Sequence, residues 1–134
     1  MRLLQETVRT MQEFQRVFGC SLSVDGLAVI FVADRLGLDV VVPVNNKGFD
    51  ARDRRTGARY EVKYRANSVR QVDLNNFEFD LLVLVNLGAD YYPSGMWQMT
   101  RAQAERVFVR REYRGIAKFQ CSQAKFKAEA ERLL

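Results

Sequence analysis

Apolar residues near the N-terminus recur every three or four positions, which is the period of a helix with one apolar side. Arginine and glutamate residues follow the same spacing on the opposite side, where they can form ion pairs along the helix. Gly19 is a typical helix end. The apolar positions of this predicted amphipathic helix are Leu4, Val8, Met11, Phe14 and Phe18.

The next apolar segment allows two interpretations. Its run LAVIFVA, residues 27–33, is rich enough in β-branched residues to form a strand. The run continues without a break into ADRLG and follows a helix-start pattern at 23–25. A helix over Leu27–Leu36, ending at Gly37, is therefore favoured, and a strand is the alternative.

Farther along, alternation with period two and apolar runs between turn residues predict strands. They cover Asp39–Val44, Phe49–Asp53, Ala58–Arg65, Asp80–Leu87, Met96–Met99 and Ile116–Cys121. The fourth of them, DLLVLVNL, is apolar almost throughout and is expected to be a buried central strand. Thr100 is a favourable N-cap for a helix over Arg101–Phe108. A last helix is predicted over Ser122–Leu134, and the polar segment Asn67–Asn76 is a loop or a short helix.

This order predicts an α/β or α+β fold with a mixed central sheet, in which the first three strands form an antiparallel meander flanked by helices. The 134 residues suit one domain, with an N-terminal helix over 1–22 and an α/β core over 23–134. The apolar runs are too short to cross a bilayer, and the N-terminus lacks the apolar region of a signal peptide. We therefore expect a cytoplasmic protein without a membrane partner.

The composition excludes several kinds of chemistry. The chain has no histidine, so a Ser-His-Asp triad, a histidine-ligated zinc site and a histidine general base are all ruled out. Its two cysteines, Cys20 and Cys121, form no CxxC motif and are expected to be small buried residues. Catalysis would have to use carboxylates, lysine, tyrosine or a metal held by oxygen ligands.

The basic excess is concentrated in one part of the sequence. The whole chain has a net charge of +5, and residues 47–70 alone carry eight basic and three acidic residues. The remainder is therefore neutral, apart from a smaller basic cluster within 106–118. Localised positive charge favours a polyanionic partner such as nucleic acid, and a merely solubilising surface is the alternative.

The same segment places candidate catalytic groups on one side of a hairpin. Residues two apart in a strand share a face, so Glu61, Lys63 and Arg65 lie opposite Tyr60 and Val62. Asp50 precedes the turn by about as many residues as Glu61 follows it, which brings the two carboxylates together. Adjacent carboxylates repel unless a cation lies between them, and Mg²⁺ suits such a pair. The lysine could position the attacking water or stabilise a phosphate, and Arg65 could bind a neighbouring phosphate.

Gly48-Phe49-Asp50 followed by Tyr60-Glu61-Val62-Lys63, ahead of a buried strand, resembles the PD-(D/E)xK phosphodiesterase superfamily and its restriction-endonuclease-like fold. The resemblance covers roughly residues 23–110. It implies a DNA endonuclease in which Asp50 and Glu61 bind Mg²⁺ or Mn²⁺, the backbone carbonyl of Val62 adds a ligand, and Lys63 is the catalytic lysine.

DNA or another nucleic acid is the expected partner, and the candidate phosphate-binding residues lie around the hairpin. A chain of this length has no obvious separate recognition domain, so sequence-specific cleavage would need a homodimer, another subunit or recognition by loops. The candidate nucleic-acid-binding residues are Lys47, Arg52, Arg54, Arg55, Arg59, Arg65 and Arg70.

The chain departs from the family pattern at one point. Many members carry a glutamate on the helix before the first strand, whereas the helix predicted here has none over 25–36. Asp25 is the nearest candidate, and it could instead cap the helix. The gap argues against a two-metal site. It also leaves a second hypothesis open, a catalytically inactive domain of the same fold that binds nucleic acid or a protein.

Overall fold

The computed structural model describes residues 1–19, 23–41 and 49–134. Helices α1 to α4 within these ranges are Arg2–Phe18, Val24–Leu36, Arg101–Val107 and Gln123–Glu129. Strands β1 to β9 are Leu38–Val40, Ala51–Asp53, Arg59–Tyr64, Gln71–Leu74, Leu81–Leu87, Pro93–Thr100, Val109–Tyr113, Ile116–Ser122 and Glu131–Arg132. No helix in the described ranges is long and apolar enough to cross a membrane.

Six strands form a mixed central sheet in the order β1-β2-β3-β5-β6-β9. The β1–β2 and β2–β3 pairs are antiparallel, which confirms the predicted meander. Strand β5 lies parallel to β3 and antiparallel to β6. The α+β class with a mixed central sheet is therefore confirmed. A second, antiparallel sheet has the order β4-β8-β7.

Strand β5 is buried on both faces, as its sequence predicts. Val83 and Val85 pack with α2 and with Val62 on one side of the sheet. The alternate residues Leu82 and Leu84 contribute to a second cluster on the other side. That second cluster also contains residues of β4, β8, α3 and α4, so the small sheet packs against the central sheet through apolar side chains.

The helix ends follow local sequence. Ser23 caps α2 by accepting a hydrogen bond from the amide of Gly26, and Gly37 ends that helix with a φ of 69°. The helical interpretation of LAVIFVA is thus confirmed. Thr100 and Gln103 form a capping box at α3. Helix α1 ends at Gly19 as expected, but its residues are exposed or half-buried, including the apolar Leu4 and Met11.

Two predictions about secondary structure are wrong. Segment Asn67–Asn76, predicted to be a loop or a short helix, contains strand β4, because alternate residues Val72 and Leu74 are buried against the core while β4 pairs with β8. The last helix ends at Glu129 rather than Leu134, because the chain extends at Ala130 and β9 adds to the edge of β6.

Other boundaries differ more modestly. The predicted strand Asp39–Val44 is found as Leu38–Val40, and residues 42–48 lie outside the described ranges. Strand β7 had no counterpart in the prediction, because all five of its residues are exposed and its sequence VRREY lacks an alternating apolar pattern. The candidate carboxylates and lysine lie on the β2–β3 hairpin.

Candidate functional site

A tight turn fixes the register of the β2–β3 hairpin. The carboxylate of Asp53 accepts hydrogen bonds from the amides of Arg55 and Thr56, at 2.8 and 3.2 Å. Gly57 adopts a φ of 73°, which glycine tolerates better than other residues. The turn pairs Ala51 with Tyr60, so the next residues outward are Asp50 and Glu61.

Asp50 is held at this position by backbone and side chain together. Its amide donates to the carbonyl of Tyr60 at 2.7 Å, which continues the pairing beyond β2. Its Oδ2 accepts a hydrogen bond from the amide of Val62 at 2.8 Å. The carboxylate therefore lies beside β3, in the position that the hairpin register predicts.

Strand β3 separates its apolar side chains from its charged ones. Tyr60 and Val62 are buried on the α2 side of the sheet. Glu61 and Lys63 are partly buried on the other face, with 18% and 24% of their side chains exposed. Lys63 Nζ lies 3.5 Å from Glu61 Oε1. The predicted alternation is confirmed, and it brings Asp50, Glu61 and Lys63 together.

The carboxyl group of Glu61 is strongly perturbed. Burial raises its pKa from the ordinary value of 4.5 to about 7, and the negative charge of Asp50 acts in the same direction. Lys63 opposes the shift through its charge and its contact with the carboxylate, but does not cancel it. At neutral pH this site would therefore hold protons unless a cation compensates for the second negative charge.

The pKa of Asp50 is also raised, but by less than that of Glu61. Burial raises its pKa, while the hydrogen bond from the amide of Val62 and the charge of Lys63 lower it. Asp25, an exposed residue in the first turn of α2, also raises the pKa of Asp50. The helix carboxylate that the sequence suggested is thus close enough to act on Asp50 electrostatically.

The oxygen atoms of Asp50, Glu61 and Val62 are of the kinds that a divalent cation such as Mg²⁺ prefers as ligands. Within the described ranges, no three or more carboxylate or cysteine side chains form a group able to hold a metal, so Asp25 does not complete a side-chain triad. The amide of Val62 points to Asp50, and its carbonyl projects from the same edge of the extended strand. Two carboxylates and a carbonyl, completed by water, are a suitable ligand set for Mg²⁺ or Mn²⁺.

Three of the arginines predicted to bind nucleic acid also have partners within the fold. Arg59 donates to Asp80, whose carboxylate also accepts the Arg59 amide at 2.8 Å. Arg54 Nε lies 2.6 Å from Asp39. Arg65 donates to the carbonyls of Tyr64 and Gln71 and lies 3.9 Å from Asp73. These contacts tie the hairpin to β1, to the start of β5 and to β4.

The remaining predicted phosphate-binding residues are more loosely held. Arg52, Arg55 and Arg70 are exposed, and the guanidinium of Arg52 lies over the ring of Phe49. Lys47 falls outside the described residues. These exposed arginines leave positive charge at the surface of the segment that also carries Asp50 and Glu61.

Sequence reasoning missed a buried polar contact that fixes the chain after β3. Asn86 donates to the carbonyl of Arg65 at 2.7 Å and to Oε1 of Gln123 at 3.0 Å. Gln123 in turn donates to the carbonyls of Ala66 and Val69. The asparagine within DLLVLVNL was the available signal, because a polar residue in a buried strand needs partners.

Comparison with protein-family models and with curated proteins gave no match. The resemblance to the PD-(D/E)xK superfamily therefore rests on the residues of the hairpin and their order along the chain.

Proposed function

We propose that this protein is a divalent-metal-dependent endonuclease of the PD-(D/E)xK type, which hydrolyses phosphodiester bonds in DNA. The observation that carries the proposal is the pair of neighbouring, partly buried carboxylates, Asp50 and Glu61, with Lys63 in contact with the second. Burial opposes the ionisation of both carboxylates, so they are costly in a hairpin that is only structural. A cation site, in contrast, requires such a pair.

Each residue has a distinct role in the proposed reaction. Asp50, Glu61 and the carbonyl of Val62 would hold Mg²⁺ or Mn²⁺. When bound, the ion would supply positive charge to the phosphate and lower the pKa of its water. Lys63 orients the attacking water and stabilises the negative charge that develops on the phosphate oxygens. Water adds to phosphorus, one P–O bond breaks, and the departing oxygen takes up a proton.

The charge of the surrounding surface supports DNA as the substrate. The exposed Arg52, Arg55 and Arg70 lie on the segment that carries the net positive charge of the chain. Such residues bind phosphates of any sequence and make binding depend on salt. They would offset the repulsion between the two carboxylates and the DNA backbone.

A homodimer belongs to the same proposal. One site per chain hydrolyses one strand at a time, so a symmetric pair of chains would supply the two sites that a double-strand break requires. Light scattering of the purified protein measures the mass. A mass of about one chain at every concentration would contradict the dimer and leave single-strand cleavage.

A non-catalytic domain that binds nucleic acid or a protein is the second candidate. It is favoured by one feature of the sequence, the lack of a glutamate in helix α2 that could join the other two carboxylates. This candidate retains binding to DNA but predicts no cleavage in any metal.

Cleavage of supercoiled plasmid and of branched DNA, in Mg²⁺ and in Mn²⁺, separates the two. We expect Lys63→Ala and Asp50→Ala each to slow cleavage by about 10²- to 10³-fold. Asp34→Asn, at an exposed residue of α2, is the matched control and should cleave at the wild-type rate. Cleavage that survives both site variants would refute the site, and a wild-type protein that binds DNA without cleaving it would favour the second candidate.

A further inference from the structure

The hairpin formed by β7 and β8 has an outer face that the proposed catalytic site does not use. Cross-strand register pairs Val109 with Gln120, Arg111 with Lys118, and Tyr113 with Ile116. The opposite face carries Phe119, which packs against the apolar core. We call the surface formed by these three pairs the outer face of the hairpin.

Two cations lie directly opposite each other on this outer face. Like charges at directly paired positions of an antiparallel sheet destabilise the pairing. Within the described part of the chain, neither Arg111 nor Lys118 has an acidic side chain within 4.0 Å. On the other face, by contrast, Arg110 lies 2.8 Å from Glu112. The repulsion between Arg111 and Lys118 on the outer face is therefore not offset by a nearby acid among the described residues, and a bound polyanion would reduce it.

Beyond this pair, the tip of the hairpin presents apolar surface. Tyr113 and Ile116 are 72% and 64% exposed, although they are paired with each other. The two residues between them, Arg114 and Gly115, have φ values of 52° and 78°, as in the tight turns that join two strands. The guanidinium of Arg114 lies 5.4 Å from the centre of the Tyr113 ring. Side chains of this kind can enter a groove of a duplex between phosphate contacts.

Arg65 connects the outer face to the candidate catalytic site. It lies two residues after Lys63, just beyond the end of β3, and contacts both Gln71 and Asp73 of β4. Asp73 is paired with Gln120 of β8, and so it begins the same outer surface. From strand spacings, the Cα of Asp73 lies about 8 Å from that of Lys118 and about 12 Å from that of Arg111. A strand of DNA leaving the site over Arg65 would reach both cations.

We propose that the outer face of the hairpin binds the phosphate backbone of double-stranded DNA through Arg111 and Lys118, with Tyr113 and Ile116 entering the adjacent groove. The identity of the polyanion rests on the proposed function, but binding by the hairpin does not require cleavage. The predicted DNA contact therefore includes this hairpin as well as the basic segment 47–70.

The test is the binding of a labelled 30-base-pair duplex in EDTA, measured as a function of salt. Each phosphate contact contributes about 0.9 to the slope of log affinity against log salt, or about 8-fold in affinity at 0.1 M salt. The double variant Arg111→Gln/Lys118→Gln should therefore bind about 60-fold more weakly than wild type and lower the slope by about 2.

The matched control is Arg106→Gln/Arg110→Gln, which removes the same charge from arginines that have acidic partners. We expect it to lose less than 3-fold in affinity. Equal losses in the two double variants, or wild-type affinity in Arg111→Gln/Lys118→Gln, would overturn the proposal. The proposal would also be overturned if Arg111→Gln/Lys118→Gln bound vesicles of anionic lipid more weakly than wild type but bound DNA equally well.

Two further measures separate this inference from the proposed function and from misfolding. Duplex binding is measured in EDTA and cleavage in Mg²⁺, so a failure of cleavage and a failure of the hairpin appear in different measurements. Arg111→Glu places an acid opposite Lys118 and should keep or raise the thermal midpoint while it weakens DNA binding. A lower midpoint together with unchanged binding would contradict the inference.

Discussion

Replacing Glu61 with glutamine should stabilise the metal-free protein at alkaline pH while abolishing its proposed activity. Glutamine keeps the size of the side chain and removes its charge. The side chain is only 18% exposed, and the charge of Asp50 acts on it together with burial. The ionised form is therefore disfavoured in the folded protein and is fully solvated in the unfolded chain.

The magnitude follows from the difference between the two pKa values. A folded pKa of about 7 lies above the unfolded value of 4.5, so the folded protein binds this proton more tightly. The resulting stabilisation is complete below pH 4.5 and is lost as pH rises through 7. The difference corresponds to about 3 kcal/mol. At pH 8 the variant should be more stable than wild type by up to this amount, and at pH 4 the two should be equal.

Urea unfolding at pH 4 and pH 8, in EDTA and then in Mg²⁺, measures the effect. Mg²⁺ should stabilise wild type at pH 8, because it binds the ionised carboxylates and not the unfolded chain. It should do so much less in Glu61→Gln. Glu6→Gln, at an exposed residue of α1, is the control and should follow wild type at both pH values.

A variant less stable than wild type at pH 8 would refute the reasoning, because it would mean that the charge of Glu61 is favourable in the fold. Stability that does not respond to Mg²⁺ at pH 8 would show that the carboxylate pair binds no cation.

Three other predictions concern the fold. Gly95→Ala should lower the free energy of unfolding by about 1–3 kcal/mol, because a Cβ there would overlap the indole ring of Trp97; chemical denaturation measures it, and a neutral effect would contradict the packing. Phe126→Ala should lower the free energy of unfolding by about 3–5 kcal/mol, since this side chain is fully buried. Met11→Ala on exposed α1 should change it by no more than about 0.5 kcal/mol. A large decrease at Met11 would show that α1 is covered. Asn86→Ala should cost about 1–3 kcal/mol by leaving the carbonyl of Arg65 without its donor, and amide exchange after β3 should quicken; unchanged exchange would argue against that contact.

The candidate site could be predicted from the sequence because its information is local. The turn at Asp53 and Gly57 sets the register, and the alternation after the turn sets the faces. Together they place Asp50 beside Glu61 without reference to the rest of the fold. The raised pKa of Glu61 could not be predicted, because it depends on how deeply the tertiary packing buries that side chain.

The elements that the sequence missed are determined by contacts distant along the chain. Strand β4 lies in a polar segment and becomes a strand because β8, whose paired residues lie 45 to 51 positions later, pairs with it. Strand β9 replaces the end of a predicted helix because the edge of β6 offers backbone partners. Strand β7 is exposed along its whole length, so its hydrophobic pattern contains no information about pairing.

Titration of the protein with Mn²⁺ at pH 8 measures whether Asp50 and Glu61 hold a divalent cation, as the proposed DNA hydrolysis requires. We expect one ion per chain in wild type, in Lys63→Ala and in the control Asp34→Asn, with affinity reduced at least 10-fold in Asp50→Asn and in Glu61→Gln. Equal Mn²⁺ affinity in wild type and in both carboxylate variants would contradict a cation site at these two residues.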